Sequence, residues 1–235
     1  MYPALSKHSN RKVYKNFRYY QIMNPNTFKN KVKKYWINSA RYDWYEARKK
    51  GNIFERLFYN LKIKYILSLT EFKDKRILDI GCGTGVNTYD LYKQSKKTIG
   101  ADISPWAIQR AKKNFKEIPF YVYDSEKTKF PNNYFDIIIN TGLMQYLKNP
   151  ELTINEMHRI LKPEGVAIVE VPWKYGIYNS EFIRSYITNK KNQNDEPVNM
   201  TYNTKILRKL FRKFKCIKIR PFLFLVLYGL FQKKV

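Results

Sequence analysis

The segment RILDIGCGTGVNTYDLY, residues 76–92, decides the fold class of this chain. A short apolar run leads into Gly81, Gly83 and Gly85, although the whole chain of 235 residues has only nine glycines. This pattern predicts a buried strand, a glycine loop and a helix. Glycines let a ligand approach the backbone where a Cβ atom would collide with it, and the start of a helix offers unpaired N–H groups. The segment therefore predicts a binding loop for a negative or polar ligand group.

The spacing of these glycines narrows the class of ligand. It reads G-x-G-x-G, whereas dinucleotide-binding folds use G-x-G-x-x-G, and no Lys followed by Ser or Thr comes after it as in a P-loop. Nucleotide-binding and phosphate-binding loops look alike at this level, so the loop alone is a weak signal. A dinucleotide ligand is disfavoured.

The chain beyond residue 75 alternates between strand and helix patterns. Five short strands are predicted at RILDI, KTIGAD, PFYVYD, FDIIIN and VAIVEV. Beyond Pro172 we expect helices near residues 181–188 and 204–214, followed by two strands, CIKIR and FLFLVLYG. This order predicts a doubly wound α/β sheet, mostly parallel with an antiparallel last strand.

The regions around this core predict the domain organisation. Residues 1–34 are basic and aromatic without a clean period, and we expect an extension there. Apolar residues recur every three to four positions over residues 35–70, which predicts two or three helices. We therefore expect one domain over residues 35–235, with a ligand-binding core at 75–173 and further helices at 174–215.

Charge is distributed unevenly along the chain. The 45 basic and 19 acidic residues give a net charge of +26, of which residues 1–64 carry +13, residues 65–180 carry +3 and residues 181–235 carry +10. The basic ends predict contact with nucleic acid or with an anionic membrane surface. The alternative is a lysine-rich composition with solvated faces, and the sequence leaves both open.

Several segments bear on the cellular compartment. The N-terminal residues MYPALSKHSNRK have no apolar core of a secretory signal, and the longest apolar run, residues 221–231, is shorter than the roughly 20 residues of a membrane span. Cys82 and Cys216 are too few for a disulfide framework or a zinc site. We therefore expect a cytoplasmic protein without a metal, either free or peripheral at a membrane surface.

Three acidic residues lie at or near the ends of successive predicted strands. Asp79 precedes the glycine loop, Asp102 ends the second strand and Asp124 ends the third. Because parallel strands end at the same edge of a sheet, these carboxylates are expected beside the loop, and Asp102 suits a bidentate hydrogen bond to ribose hydroxyls. Structural alternatives exist for each: Asp79 as a brace for the loop, Asp102 as a helix cap and Asp124 as the start of a turn.

The order of these motifs resembles a known family. ILDIGCGTG, GADIS, VYDSEKTKFPNNYFDIIINTGLMQYLKNP and EMHRILKPEGVAIVEVP are similar to the successive motifs of class I S-adenosylmethionine-dependent methyltransferases, over residues 75–173. The resemblance implies a Rossmann-like fold and the cofactor S-adenosylmethionine, with S-adenosylhomocysteine as product.

The same resemblance implies roles for individual residues. Asp79, Gly81, Gly83 and Gly85 would surround the methionine moiety and its amino group, and Asp102 would hold both ribose hydroxyls. Ile103 would pack on the adenine, Asp124 would accept from the adenine amine, and the backbone of Ser125 would lie alongside. Asn140 and Thr141, at the end of the fourth strand, would face the sulfonium and the acceptor.

Catalytic groups are less evident. Methyl transfer needs positioning and exclusion of water, and a base only where the acceptor is protonated. His8 lies in the extension, and His158 is expected to be exposed or at the edge of the core. Many relatives have Glu-His after the fourth strand, whereas this chain has Gln145-Tyr146, so Tyr146, Asn140 and Tyr42 are the acceptor-side candidates.

The acceptor is the least determined part of the prediction. Aromatic residues flank the core and suit a flat or greasy acceptor: Trp36, Tyr42, Trp44, Tyr45, Trp173, Tyr175 and Tyr178. The C-terminal segment also resembles that of small-molecule and lipid or quinone methyltransferases. The alternative is an RNA methyltransferase with basic termini, although the fourth strand ends in NTGL without an Asn/Asp-Pro-Pro signature. A third interpretation is a binding protein that keeps the fold as a non-catalytic scaffold.

Overall fold

A computed structural model describes residues 24–38, 44–51, 53–176 and 200–234, and these residues form a seven-stranded sheet with helices on both faces. The strands are β1 (Ile77–Ile80), β2 (Thr98–Asp102), β3 (Phe120–Val122), β4 (Phe135–Thr141), β5 (Leu161–Pro172), β6 (Phe214–Phe222) and β7 (Val226–Lys233). The helices are α1 (Pro25–Asn38), α2 (Trp44–Lys50), α3 (Ile53–Leu67), α4 (Val86–Gln94), α5 (Pro105–Asn114), α6 (Pro150–Ile160) and α7 (Thr204–Leu210), with a 3₁₀ turn at Met144–Tyr146.

The strand order confirms the predicted doubly wound sheet. It is β3-β2-β1-β4-β5-β7-β6, and β1 pairs in parallel with β2 on one side and β4 on the other. The chain reverses beside β1, and that reversal opens a crevice at the carboxyl edge, where β1 to β5 end. β7 runs antiparallel to both β5 and β6, which confirms the predicted antiparallel end of the sheet.

Apolar side chains fill both faces of the sheet. One face packs against α6 and α7 and includes Leu78, Ile138 and Phe231. The other packs against α3 and α4 and includes Ile66, Ile77 and Ile139. Because both faces are covered, β1 is buried at every position, as expected for a central parallel strand. None of the helices formed by the described residues combines the length and apolar character that a membrane span requires.

Three predicted boundaries differ from the structure. Helix α1 runs from Pro25 to Asn38 and so crosses residue 34, where the extension was expected to end. Helix α7 ends at Leu210, four residues earlier than expected. The segment FLFLVLYG is not one strand, because residues 223–225 form a turn between β6 and β7. The helix expected near residues 181–188 lies outside the described residues.

Candidate cofactor-binding site

The glycine loop follows β1 at the carboxyl edge. Gly81, Gly83 and Gly85 have φ of 80°, 53° and 82°, in the left-handed region that favours glycine. A Cβ atom on Gly81 would lie 2.9 Å from the Cβ of Leu143, and one on Gly85 would lie 2.7 Å from the ring of Phe120. Backbone conformation and packing therefore require glycine at positions 81 and 85, independently of a ligand.

Asp102 ties the glycine loop to the end of β2. One of its carboxylate oxygens accepts from the backbone N–H of Gly83 at 2.9 Å and the other from the N–H of Ser104 at 2.9 Å. Burial raises the pKa of Asp102, although these backbone hydrogen bonds act in the opposite direction. Helix α5 is capped by the Ser104 hydroxyl, which accepts from the N–H of Ala107, and not by Asp102. Each oxygen of Asp102 keeps lone pairs for further donors such as ribose hydroxyls.

Asp79 is buried in β1, and only one of its two carboxylate oxygens has a hydrogen-bond partner. Its Oδ2 accepts from the hydroxyl of Thr88 at 2.7 Å, whereas its Oδ1 has no hydrogen-bond partner. Burial raises the pKa of Asp79 to about 6; the Thr88 bond and the positive charge of Lys62 oppose the rise, and Asp102 adds to it. A cationic donor at Oδ1 would satisfy this carboxylate and favour its ionised form.

Asn140 and Thr141 end β4 and face opposite sides of the sheet. Asn140 is buried with its amide nitrogen 4.0 Å from the sulfur of Met157, and its Oδ1 has no partner. The hydroxyl of Thr141 accepts from the Asn87 amide at 3.1 Å. Asn140 is therefore the residue of this pair with an unused acceptor.

Within the described part of the chain, most of the buried side-chain polar atoms without a hydrogen-bond partner belong to the segments at this edge of the sheet. Five buried side-chain polar atoms among the described residues lack a hydrogen-bond partner, and four of them belong to the strand ends and loops around the crevice: Asp79 Oδ1, Thr84 Oγ1, Asn140 Oδ1 and Gln145 Oε1. Such atoms are uncommon, because a buried polar group without a partner costs about 1–3 kcal/mol. These oxygens fit a ligand that donates hydrogen bonds, as an amino group and hydroxyls do, although Asp79 and Asn140 face opposite sides of the sheet.

Asp124 is engaged by a residue that the sequence did not indicate. Its Oδ2 lies 2.6 Å from the ammonium of Lys29 in α1, and its Oδ1 accepts from the N–H of Glu126 at 3.0 Å. Lys29 also lies 2.5 Å from the Glu126 carboxylate. Burial lowers the pKa of Lys29, but the hydrogen bonds to both carboxylates outweigh it and raise the pKa. The Ser125 hydroxyl is buried against that of Thr153, at 3.0 Å.

Helix α1 lies across the carboxyl edge. Lys29 holds it near the end of β3, and the backbone carbonyl of Trp36 accepts from the hydroxyl of Ser104 at 2.9 Å, beyond the end of β2. The Trp36 ring packs edge-on against Tyr146, with centroids 5.1 Å apart. Phe28, Val32 and Trp36 recur at four-residue spacing, a helical signal that could have revealed α1 within the expected extension.

The turn that carries Tyr146 is held by the C-terminal part of the chain. The hydroxyl of Tyr202 donates to the carbonyl of Met144 at 2.8 Å, and the N–H of Met200 donates to the carbonyl of Gln145 at 3.0 Å. Tyr146 therefore has a fixed place between α1 and the end of β4. These long-range hydrogen bonds have no signature in the local sequence.

The other aromatic candidates do not form one group. Tyr45 packs against Phe115, the residue that follows α5, away from the end of β4. Trp173 stacks on Phe224, and Tyr175 is exposed. Tyr42 and Tyr178 lie outside the described residues, as does His8. Among the aromatic candidates whose side chains are described, Trp36 and Tyr146 are the two that meet at the crevice.

A buried polar row continues from β4 across β5 and β7. Thr141 pairs in register with Glu170, and Glu170 pairs with Tyr228. The ammonium of Lys62, from α3, lies 3.0 Å from Glu170, and the hydroxyl of Tyr228 donates to the same carboxylate. Burial and the neighbouring Glu170 hold the pKa of Tyr228 well above its usual value. This Lys62–Glu170–Tyr228 triad was missed by sequence reasoning.

His158 lies outside the crevice, as the sequence predicted. It is half-buried against the ring of Phe214, with centroids 5.2 Å apart. Burial and the positive charges of Lys233 and Lys213 lower its pKa. Within the ranges that the structure describes, no group of three His, Cys, Asp or Glu residues is placed to hold a metal ion.

Comparison with known proteins agrees with this geometry. Residues 71–215 match the model of a methyltransferase domain family. The chain is 33% identical over 103 residues to 2-methyl-6-phytyl-1,4-hydroquinone methyltransferase of Arabidopsis thaliana, which covers 42% of this chain and 30% of that protein. It is 28% identical over 131 residues to a ubiquinone biosynthesis O-methyltransferase of Bartonella tribocorum, with 52% of this chain and 53% of that protein covered.

A solved structure with a similar fold contains a ligand pair. It is 1,6-didemethyltoxoflavin-N1-methyltransferase of Burkholderia thailandensis with bound 1,6-didemethyltoxoflavin and S-adenosylhomocysteine; the TM-score is 0.66 at 13% identity, with 91% of this chain and 92% of that chain covered. At this identity the likeness concerns the fold alone. The match to the family model extends over more than half of the chain, and the protein therefore belongs to the methyltransferase domain family.

Proposed function

We propose that this protein transfers a methyl group from S-adenosylmethionine to a small-molecule acceptor of quinone-like chemistry. The observation that carries the proposal is the set of unpartnered buried oxygens in β1, the glycine loop and the end of β4, together with Asp102 at the end of β2. These groups fit the donors of this cofactor, namely an amino group and two ribose hydroxyls. A ligand that donates hydrogen bonds to these groups would offset the cost of burying them.

The proposed contacts of Asp79, the glycine loop and Asp102 follow from the environments described above. Asp79 Oδ1 would accept from the amino group, and the loop at Gly81, Gly83 and Gly85 would lie against the methionine moiety. Asp102 would accept from both ribose hydroxyls without losing its hold on Gly83. At the adenine end we propose Ile103 as the packing surface, Asp124 as the acceptor for the amine and Ser125 as its neighbour.

Methyl transfer requires the chain mainly to orient the cofactor and the acceptor. S-adenosylmethionine supplies a methyl group on a positively charged sulfur to an acceptor atom in line with it. Asn140 and Tyr146, with Trp36 behind the tyrosine, would line the acceptor end of the crevice and exclude water. Helix α1 adds a cover on the same side, because it crosses from the end of β3 to the turn after β4.

The proposal of a quinone-like acceptor rests on the relatives. Two of them have names that state phytyl-hydroquinone or ubiquinone chemistry, and the described aromatic pair Trp36 and Tyr146 suits a flat ring. The chain covers 30% and 53% of the lengths of these proteins, so the acceptor comes to this chain as a proposal. We also propose residues 75–173 as the cofactor core and the helices of 35–70 and 174–215 as the acceptor side, with α1 extending the domain towards Pro25.

Two measurements test this function in sequence. Calorimetry with S-adenosylmethionine should show binding that the Asp102→Ala variant largely loses. Incubation with cofactor labelled in its methyl group and with short-chain benzoquinols should then transfer label to the quinol. Absence of cofactor binding would overturn the methyltransferase assignment, whereas binding with label appearing only in RNA would overturn the quinone-like acceptor.

A further inference from the structure

The most exposed apolar side chains of the described residues lie at one rim of the molecule. Among the large hydrophobic residues, Ile53 is 70% exposed, Phe224 68% and Tyr175 67%. Single exposed apolar residues are ordinary on a protein surface, but several at one place mark an interaction site. The position of these three residues therefore matters more than their number.

Phe224 and Tyr175 lie at the carboxyl edge of the sheet. Pro172, the last residue of β5, pairs with Val226, which also pairs with Phe222 at the end of β6. The turn at residues 223–225 therefore projects from the same edge as the glycine loop. The N–H of Trp173 donates to the carbonyl of Leu225 at 3.3 Å, so Tyr175 is held beside this turn.

Helix α3 brings further apolar residues to this rim. Its side chains Phe58 and Tyr65 contact the ring of Phe222, with centroids 6.3 Å and 4.9 Å apart. Ile53 and Leu57 follow one another at four-residue spacing on the exposed face of the same helix. Because Phe58 packs at the end of β6, the N-terminal half of α3 lies beside the turn at residues 223–225.

The turn itself exposes apolar groups at a conformational cost. Leu223 and Phe224 have φ of 49° and 55°, a region that bulky residues rarely adopt and that Gly or Asn would adopt with less strain. Neither side chain is buried in return, since Leu223 is 45% and Phe224 68% exposed. The conformation of the turn therefore does not explain why Leu and Phe occupy these two positions.

Positive charge surrounds the rim. Residues 200–234 contain ten basic residues and no acidic residue, and residues 44–67 contain six basic and two acidic residues. The exposed basic residues near the rim include Arg56, Lys174 and Arg220. Two copies of this chain meeting face to face here would place like charges together, which disfavours a homodimer. Three of the exposed side chains, Ile53, Leu57 and Leu223, are aliphatic and suit an acyl-chain environment better than base stacking, for which only Tyr175 and Phe224 offer rings.

We propose that this apolar rim (Ile53, Leu57, Tyr175, Leu223 and Phe224) docks on the surface of a bilayer that contains anionic phospholipids. The apolar side chains enter the interface between headgroups and acyl chains, and the surrounding cations contact the phosphates, a combination that strengthens peripheral binding. The rim projects from the edge of the sheet that carries the crevice, so docking turns that edge towards the membrane.

Vesicle sedimentation tests this surface without any acceptor. We expect the full chain to bind vesicles of phosphatidylcholine with phosphatidylglycerol, to bind phosphatidylcholine alone weakly, and to dissociate as salt is raised. Replacing Leu223 and Phe224 by Ser should weaken binding on the order of tenfold. Leu152→Ser is the matched control, because Leu152 is 45% exposed, as Leu223 is, but lies on α6, against the opposite face of the sheet.

Four outcomes would overturn the proposal, and the first three concern the variants and the oligomeric state. They are equal vesicle binding by the double variant and the wild type, loss of binding in the Leu152→Ser control to the same extent, and a dimer in solution that the double variant dissociates. Binding to single-stranded RNA but not to vesicles would also reject it. Calorimetry with S-adenosylmethionine on both variants shows whether the fold is intact and keeps this result separate from the proposed methyl transfer.

Discussion

The carboxyl edge of the sheet has two parts that satisfy their polar groups differently. At β2 and β3, Asp102 and Asp124 already accept hydrogen bonds on both carboxylate oxygens. At β1 and β4, Asp79 and Asn140 each keep a buried oxygen without a partner. The first part is organised by the chain itself, whereas the second keeps acceptors that the proposed cofactor would satisfy. Ligand binding should therefore change the second part more than the first.

The triad beyond β4 is a third case, in which buried charges are paired within the chain. Glu170→Gln would leave the ammonium of Lys62 buried without a charged partner, so we expect the free energy of unfolding to fall by about 3 kcal/mol. Urea denaturation measures this change. The double variant with Lys62→Met should recover most of the loss, and a drop of less than about 0.5 kcal/mol in the single variant would show that the pair is not a buried ionic contact.

The preorganised part predicts the next largest effect. Asp102→Ala removes the acceptor that holds the N–H of Gly83 together with the two proposed ribose contacts, so cofactor binding should weaken by about 3 kcal/mol in calorimetry. Asp136→Ala is the control, because Asp136 also accepts from a backbone N–H, that of Arg76 at 2.8 Å, but lies at the start of β4. Equal losses of affinity in the two variants would mean that the Asp102→Ala substitution weakens cofactor binding only by destabilising the fold.

The unsatisfied part predicts a dependence on pH. The pKa of Asp79 is raised on folding to about 6, so the unfolded chain ionises first as pH rises from about 4, and the unliganded protein loses stability between about pH 4 and 6. Asp79→Asn removes this loss and should leave the unliganded protein about 3 kcal/mol more stable than the wild type at pH 7. Urea denaturation at pH 4 and pH 7 measures both proteins.

Cofactor affinity should respond in the opposite direction. Ionised Asp79 is the form that attracts an amino cation, so affinity of the wild type should rise on the order of tenfold from pH 5 to pH 7. The Asp79→Asn variant should bind the cofactor more weakly, and its affinity should depend less on pH. The pH dependence that remains would come from Asp102, because burial also raises the pKa of that carboxyl. A wild-type affinity that is flat over this range would contradict the proposed contact at Oδ1.

The smallest effect is expected at the contact between α1 and β3. The Lys29–Asp124 pair is about one-third exposed on each side, so Lys29→Gln should change cofactor affinity by at most about 1 kcal/mol. Lys34→Gln, an exposed residue of the same helix, removes the same charge without this contact. If the two variants have equal affinities in calorimetry, the contact has no part in cofactor binding.

Local patterns predicted the parts of the fold that depend on short segments. The strand, glycine loop and helix at residues 76–92 are all marked within one run of chain that contains Asp79 and the three glycines, and Asp102 ends the next predicted strand. The contacts of Lys29 with Asp124 and of Lys62 with Glu170 join residues about a hundred positions apart. No periodicity encodes such a pairing, since it appears only when helices dock on the sheet.

The missed turn at residues 223–225 has a different cause. An unbroken apolar run reads as a strand because turns usually contain Gly, Pro, Asn or Asp. Here Leu223 and Phe224 adopt the left-handed conformation themselves. The sequence rules failed at a turn whose residues do not follow the local backbone preference. Such departures are expected at functional surfaces.

The contact between Gly81 and Leu143 has an evolutionary consequence. Any residue other than glycine at position 143 carries a Cβ atom, which would lie 2.9 Å from a Cβ atom at position 81. A mutation that adds a side chain at 81 is therefore incompatible with the present backbone unless the segment after β4 moves as well. Selection for a new acceptor can vary the side chain at 143 beyond its Cβ, but it cannot shift that segment without disturbing the glycine loop, so the two loops should drift together.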